Sequence, residues 1–292
     1  MRPRVIADYR AMLWVFGFMP LVAAVAFARP RLALPLMPLS IYLAYCAGVL
    51  AHNHNHRPVF SKHWENALYS GVISFFYGYP TFAWIPTHNE NHHRHRNGPG
   101  DVTATSRHTS RNTAWAAFTF FFASARWQAP LIVRYLRRIA RRSKRAFAWL
   151  LGQYALVFGG HAAACALAIA LHGTRAGVVV YLSALGIPAG AALWGLMFTN
   201  YVQHVDCDPA SPHDHSRNFV SPWLNFLLFD NGYHTVHHER PGLHWSELRA
   251  AHEAMSAKID PRVVEPSFFR WCLDAYVLSA RGASGREFST SD

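Results

Sequence analysis

The sequence predicts an all-α membrane protein with about four transmembrane helices, a histidine-rich cap on the cytoplasmic side and interfacial helices. Its 292 residues are 51% hydrophobic and only 15% charged, whereas about 25% of the residues of an average soluble domain are charged. Apolar runs approach the roughly 20 residues that cross a bilayer as a helix. Histidines gather where several of these runs end. Because imidazole is the commonest metal ligand in proteins, this pattern indicates a metal site at one membrane face.

The apolar runs predict the elements in chain order. The run at 68–86 contains glycines, prolines and aromatic residues, which favour a helix that lies in or dips into the interface. Residues 113–127 are amphipathic and about half a membrane in length, so we expect a helix on the surface. The link between the first two spans is so short that they form a helical hairpin. The predicted spans are 12–28, 32–51, 146–171 and 178–201.

Positive charge indicates the orientation and the partners of the chain. The basic residues behind the net charge of +12 flank apolar segments, so no nucleic acid partner is expected. Residues 134–145 carry seven positive charges on a helical stretch. We interpret them as an anchor against acidic headgroups, with docking of an acidic electron-transfer partner as the alternative. Only Arg29, Arg31 and Arg175 lie in the two opposite loops, so the histidine clusters are expected to face the cytoplasm.

The chain is expected to form one domain over residues 1–280, followed by a disordered tail at 281–292. Its four cysteines lie far apart without a Cys-x-x-Cys pair, which argues against a disulfide framework and a thiolate zinc site. The basic residues are almost all arginine. This composition is typical of a GC-rich bacterial genome and favours a bacterial inner membrane as the location.

The histidines recur at one-turn spacing. If the second span continues as a helix, His52 and His56 point from one face and can reach one metal. His88 and His92 have the same spacing, and the adjacent His93 points about 100° away, which suits it to a second metal. Because one ion takes about four to six ligands, the number of paired histidines suits two ions. The nine histidines are His52, His56, His88, His92, His93, His204, His234, His237 and His238.

These histidine motifs resemble those of the membrane fatty acid desaturase and hydroxylase superfamily. The boxes have the form His-x3-His, His-x3-His-His and His-x2-His-His, with Asn-x3-His before the last, and they lie between residues 51 and 245. The resemblance implies a non-haem di-iron site in a cytoplasmic cap above four transmembrane helices. It also implies that the nine histidines are iron ligands and that Asn200 holds a water at one iron.

Several residues near the boxes leave the ligand set open. His54 stands between His52 and His56 and could replace one of them, and His95 could compete with His88. Carboxylates near the boxes could orient the ligand rings through their second nitrogen, with a surface group or a helix cap as the alternative for each. The candidates are Glu90, Asp101, Asp206, Asp208 and Asp230. The histidines interpreted as non-ligands are His63, His108, His161, His172, His213, His215, His244 and His252.

The resemblance also implies an oxidation that consumes O2 at two iron ions and removes hydrogen from an unactivated C–H bond. Desaturation of an acyl-lipid or of a carrier-bound acyl chain is favoured. The alternative on the same scaffold is a lipid or carotenoid hydroxylase or ketolase. Electrons are expected from an external donor, ferredoxin or a similar protein with its reductase. The sequence itself has no dinucleotide fingerprint, no cysteine cluster and no cytochrome b5 motif.

Other classes of protein fit the histidines less well. A zinc-dependent membrane hydrolase would need His-Glu-x-x-His, in which the glutamate acts as general base. The pair His238-Glu239 is followed by no histidine at the required place. A receptor-like bundle with structural zinc would need only three or four ligands for one ion, and the nine histidines exceed that need.

Overall fold

The structure is a computed structural model that describes residues 1–278, predominantly as helix. The tail predicted at 281–292 lies outside the described residues. The long helices are α1 (Asp8–Ala28), α2 (Pro30–His56), α3 (His63–Tyr77), α4 (Ile85–His92, continued by the turn His93–His95), α5 (Ala114–Arg142), α6 (Lys144–His172) and α7 (Thr174–His204). The shorter helices are α8 (Pro222–Leu227), α9 (His234–Glu239), α10 (Leu248–Met255) and α11 (Phe268–Leu273). Further helical turns lie at Thr81–Ala83, Thr105–Arg107, Trp245–Glu247, Ser256–Lys258, Pro261–Val263 and Asp274–Leu278.

Among the described residues, four helices are long and apolar enough to cross a membrane, namely α1, α2, α6 and α7. The predicted all-α fold with four spans is therefore confirmed. Pro30 begins α2, because a residue without an N–H costs nothing in the first turn of a helix. α6 is separated from α7 by Gly173, whose φ of +76° suits glycine. α2 and α7 continue past their predicted ends to His56 and His204, so these histidines lie in the last helical turns.

Residues 1–278 form two compact units. The first unit consists of Met1–Pro86 and Leu131–Leu196. The second unit consists of Thr87–Pro130 and the described part of Met197–Asp292. The single domain expected over residues 1–280 stays a prediction.

Small side chains let the helices of the first unit pack closely. Gly177 in α7 has no room for a side chain, because a Cβ would lie 2.5 Å from the backbone of Ala168 in α6. Close approach of backbones is the usual basis of helix association within a bilayer, where burial of apolar surface adds little. The buried cluster that joins these helices contains Ala26, Ala33, Ala168, Val180, Ala184 and Leu185.

The core of the second unit lies between the beginning of α5 and the end of α7. Beside this core, Asn218–Phe219 (β1) pairs in parallel with Val264–Glu265 (β2). Two-residue strands show no alternation in the sequence, so this pairing was not predicted. The core residues are Ala116, Ala117, Phe120, Tyr201, Val202, Val205 and Phe219.

The surface helices differ from the predicted segments. The short helix expected at 113–127 is wrong in length, because α5 continues through the arginine-rich stretch to Arg142. Pro130 lies inside α5 at an exposed position, where the carbonyl that loses its hydrogen bond can be reached by water. The run at 68–86 is interrupted, since α3 ends at Tyr77 and Gly78 adopts a φ of +83°.

Replacing Gly78 by alanine is expected to destabilise the first unit. A non-glycine residue at this φ costs about 1–2 kcal/mol, and the new Cβ would lie 2.6 Å from Cβ of Ala189. The matched control is Gly190→Ala in α7, where a Cβ meets nothing within 4 Å and a helical alanine gains up to about 1 kcal/mol. Thermal unfolding of the detergent-purified variants measures both effects. Equal unfolding midpoints would contradict the left-handed geometry of this turn.

Candidate metal centre

The last turns of α2 present histidines on one face. His52 and His56 lie one turn apart, with ring centroids 5.0 Å from each other. His54 points elsewhere, because its Nδ1 accepts a hydrogen bond from the backbone N–H of Val59 (3.3 Å) and its ring packs against Tyr69. The helix thus separates the predicted ligands of the first box from the alternative ligand between them.

α4 makes a wide π-helical turn that sorts the histidines of the second box. In such a turn residues five positions apart come together, and the Nε2 atoms of His88 and His93 lie 3.0 Å apart. Nε2 of His93 also lies 3.0 Å from Nε2 of His237. Contrary to the one-turn spacing, His88 therefore converges with His93, and His92 converges with a different set of histidines. We call His88, His93 and His237 the His93 group.

A second set of rings converges deeper in the same unit. Nε2 of His234 lies 3.0 Å from Nε2 of His204 and 3.1 Å from Nε2 of His238. The ring of His92 reaches them from α4, and its centroid lies 4.7 Å from that of His204. All of these side chains are buried, and one ligand atom from each lies within 4.8 Å of the others. We call His92, His204, His234 and His238 the His92 group.

The protonation of these rings suits a bound cation. His204 donates its Nδ1–H to the carbonyl of His215 (3.0 Å), and His92 donates its Nδ1–H to Asp101 Oδ2 (2.7 Å). In the neutral tautomer with its proton on Nδ1, each of these rings has an Nε2 lone pair that can bind a metal ion. Nε2 of His92 is buried and has no hydrogen-bond partner within residues 1–278. The residues therefore fit a metal ion, because two ligands about 2.1 Å from one ion and at right angles are about 3.0 Å apart.

Asp101 orients the His92 ring. The carboxylate is fully buried, and its Oδ2 also accepts from the backbone N–H of Asn97 (2.8 Å), while Oδ1 accepts from the N–H and the hydroxyl of Thr103. Burial by itself raises the pKa of this carboxyl, but His92 and the Thr103 hydrogen bonds outweigh burial and hold the pKa well below its usual range. A carboxylate on Nδ1 fixes the ring orientation and makes Nε2 a stronger ligand.

Burial disfavours the protonated form of His238 in the His92 group and of the neighbouring His215. Burial first, and then the neighbouring histidines, lower the pKa of His238 well below its ordinary value. The ring of His215 lies beside it, 5.2 Å between centroids, and burial lowers the pKa of His215 to about 4. Neutral imidazole is the form that binds metal.

The other predicted carboxylates are less enclosed than Asp101. Asp206 and Asp208 are exposed, and Asp206 accepts a hydrogen bond from Nδ2 of Asn112 (2.8 Å). Glu90 is also exposed. Asp230 is half-buried in a left-handed turn with a φ of +56°.

Asn200 lies one turn before His204 on α7, as its spacing predicts. Its Oδ1 is buried without a hydrogen-bond partner in the described part of the chain, and such an atom suits a bound water. His95 is the alternative ligand of the second box. Its ring packs against the backbone of Gly100, so that a Cβ on Gly100 would lie 2.8 Å from the ring. Among the described residues His95 belongs to no group of converging ligand atoms.

Histidines interpreted as non-ligands have other partners. His161 donates its Nε2–H to the carbonyl of Phe75 (2.9 Å), and its Nδ1 lies 3.1 Å from the hydroxyl of Tyr181. His172 donates to the carbonyl of Phe27 at 2.8 Å. These contacts join helices of the first unit and leave the rings with a structural role.

Sequence reasoning missed residues that hold the ligand helices through backbone atoms. Asn97 has a φ of +65° and donates its Nδ2–H to the carbonyl of His204 (3.2 Å). Its Oδ1 accepts from the N–H of Thr105 at 2.7 Å. Asn-Gly is a turn signal, since asparagine tolerates the left-handed conformation. The pair Asn97-Gly98 could therefore have marked the turn, although not its contact with α7.

Comparison with known proteins yields one kind of match. A protein-family model described as fatty acid desaturase matches residues 9–269, which is most of the chain. No curated protein and no solved structure matches significantly.

Replacing Asp101 by asparagine is expected to weaken metal binding at the His92 group. The amide keeps the size of the carboxylate, but its NH2 would face one of the N–H groups that now donate to Asp101. Loss of a partner that orients a ligand ring typically costs about 10–100-fold in metal affinity. Titration of the metal-free protein with Fe(II) or Co(II) measures the change. Asp208→Asn, at an exposed carboxylate, is the control, and an equal loss in both variants would contradict the role of Asp101.

The metal-free protein is expected to lose stability in mild acid. An unfolded histidine titrates near 6.5, whereas burial lowers the pKa of folded His215 to about 4. Between these values the unfolded state binds the additional proton, so the stability contribution is complete above pH 6.5 and is lost as the pH falls towards 4. The slope approaches about 1.4 kcal/mol per pH unit for one group. Unfolding midpoints from pH 7.5 to 4.5 test this, and His215→Gln should flatten the slope; an unchanged slope would contradict the assignment.

Proposed function

The chain belongs to the fatty acid desaturase family, and from this premise we propose that it is a membrane-bound non-haem di-iron oxidoreductase that desaturates an acyl chain. Membership of the family indicates an oxidoreductase and a lipid substrate. The proposal adds the di-iron centre, the introduction of a double bond, and an acyl-lipid or a carrier-bound acyl chain as the substrate.

The convergence of imidazole nitrogens in the His92 and His93 groups carries the proposal. Imidazole suits iron as well as other transition metals, and two groups of rings suit two ions. When bound, a pair of iron ions supplies the oxidising chemistry, the reduction of O2 coupled to the removal of hydrogen from an unactivated C–H bond. The chain's own residues orient the rings of His92 and His204 through their Nδ1–H groups and bury all four rings of the His92 group.

The proposed ligand set contains the histidines of every box. His92, His204, His234 and His238 hold one ion, and His88, His93 and His237 contribute to the other. The family resemblance adds His52 and His56 to the second ion, and their shared face at the end of α2 supports this. Asn200 is proposed to hold a water at one ion, supported by its buried Oδ1.

An acyl chain as substrate is supported by the position of the histidines along the chain. His56 and His204 end helices that are long and apolar enough to cross a membrane. A reacting site at the end of such helices lies at the edge of the hydrocarbon layer, where acyl chains are present at high concentration. The arginine-rich end of α5 precedes α6 directly and supports a cytoplasmic location for this face, in a bacterial inner membrane.

Electrons are proposed to come from a separate donor, ferredoxin or a similar protein with its reductase. The cysteines lie in different parts of the chain, whereas an iron–sulfur cluster would need several of them together. The exposed arginines of α5 are a candidate surface for an acidic donor.

Metal analysis together with lipid analysis tests the proposal. Detergent-purified protein is expected to hold about two iron ions per chain, since the histidines exceed the about four to six ligands of one ion. Expression with a supply of acyl lipids and donor should give chains with a new double bond. Hydroxylated chains instead would replace the desaturase by a hydroxylase on the same scaffold. One zinc ion without iron would overturn the oxidase.

Alanine at single histidines tests the ligand set. His92→Ala and His237→Ala are each expected to abolish activity and to lower the iron content, because each removes a ligand from a different group. His63→Ala is the control, since His63 is an exposed residue at the start of α3. Iron content and product yield, measured on the same preparations, decide the outcome. Equal losses in all variants would count against the assigned ligands.

A further inference from the structure

A buried segment, residues 215–219, lies between two helices that carry histidines of the His92 group, and it ends in the strand β1. His204 is the last residue of α7, and His234 is the first residue of α9. Every residue of the segment is at most 5% exposed. Its neighbouring residues contact different helices, since Arg217 donates to the end of α7 and Asn218 accepts from the beginning of α9.

Arg217 holds the end of α7. Its backbone N–H donates to the carbonyl of Gln203 (2.6 Å), and its guanidinium donates to the carbonyls of Val202 (2.6 Å) and Val205 (3.1 Å). The carbonyls of Val202 and Gln203 belong to the last turn of α7, which a helix cannot satisfy internally, and Val205 follows that turn. The guanidinium also lies 4.3 Å over the ring of Trp271, which restricts its movement. The carbonyl two residues earlier, on His215, accepts the Nδ1–H of His204, so the segment sets both the helix end and the ligand ring.

Ser216 and Asn218 hold the beginning of α9 through Thr235, the residue next to His234. Asn218 Oδ1 accepts from the N–H of Thr235 (3.0 Å), and Asn218 Nδ2 donates to Thr235 Oγ1 (2.8 Å). Thr235 Oγ1 donates to the carbonyl of Ser216 (3.1 Å) and lies 3.0 Å from the Ser216 hydroxyl. Asn218 thereby satisfies an N–H in the first turn of α9, as a capping residue does.

α9 needs such external support because of its length. It consists of only six residues, His234–Glu239, and helices this short are unstable unless tertiary contacts hold them. Its histidines nevertheless contribute to both groups of converging nitrogens. Ligand rings must keep their positions to about 0.5 Å for a site to work. A segment with hydrogen bonds to both helices satisfies that requirement.

We propose that residues 215–219 are a positioning brace that sets the separation of His204 from His234 and His238, with Arg217 and Thr235 as positioning residues. The brace rests on the proposed function in one respect, that these histidines bind a metal ion. It does not depend on which metal they bind or on which reaction follows.

Thr235→Val tests the brace, because valine keeps the shape of threonine and removes its hydroxyl. The metal-free protein is loaded with Fe(II), and the rate at which a coloured Fe(II) chelator removes the metal is measured. One of the ions is expected to leave about 10–100-fold faster than in the wild type. The Mössbauer signal of that ion should change while the other stays. Thr235→Ser, which restores the hydroxyl, should return both readouts towards the wild type.

The matched control is Ser124→Ala. Ser124 is fully buried in α5 and its hydroxyl donates to the carbonyl of Phe121, so its loss removes a buried hydroxyl without touching the brace.

Ser216→Ala is the milder test if Thr235→Val proves poorly folded, and a smaller acceleration of release is expected from it. Arg217→Lys should also accelerate release, because an ammonium group cannot reproduce the planar contact with Trp271 and both carbonyls.

The possible failures are distinguishable. If the wild type and Thr235→Val release metal at the same rate and have the same spectra, the brace alone is overturned. Wild-type protein that holds metal and responds to these variants, but forms no oxidised lipid, supports the brace and overturns the proposed function. Wild-type protein that binds no metal ion overturns both.

Discussion

In the His92 group, imidazole Nε2 atoms lie about 3 Å apart, and such atoms repel one another unless a proton or a metal ion lies between them. The proton of His92 is held on its Nδ1 by Asp101, and that of His204 by the carbonyl of His215. Burial disfavours a second proton, as the lowered pKa of His238 shows. The surrounding loops therefore act as hydrogen-bond acceptors for these rings, and a bound metal ion would take the place of the missing protons.

The carboxyl ends of α2 and α7 also favour a cation near the histidines. α2 and α7 end at His56 and His204, and the carboxyl end of a helix carries a partial negative charge that stabilises a nearby cation. The last carbonyls of α7 are not left to water, since Arg217 and Asn97 donate to them. Long apolar helices thus carry the first box and His204, whereas the last box lies on the short helix α9.

Much of the fold was predictable because the thickness of a bilayer is a local constraint. Any run of about 20 apolar residues becomes a candidate span, and the four spans follow from counting along the chain. The length of α5 was not predictable in the same way. Pro130 suggests a helix end by its lack of an N–H, but its exposure lets water satisfy the carbonyl and the helix continues. Exposure is a property of the folded chain and not of the sequence alone.

The sequence by itself determined the family, the four apolar helices and which histidines recur at one-turn spacing, because each depends on residues near one another in the chain. The tertiary structure decided how those histidines are divided between the His92 group and the His93 group. The π-helical turn of α4 groups His93 with His88 and His237, and sends His92 to the deeper rings. The tertiary structure also places Asp101 beside His92 and the segment 215–219 in contact with both α7 and α9. These choices depend on contacts between residues far apart in sequence, which spacing alone does not encode.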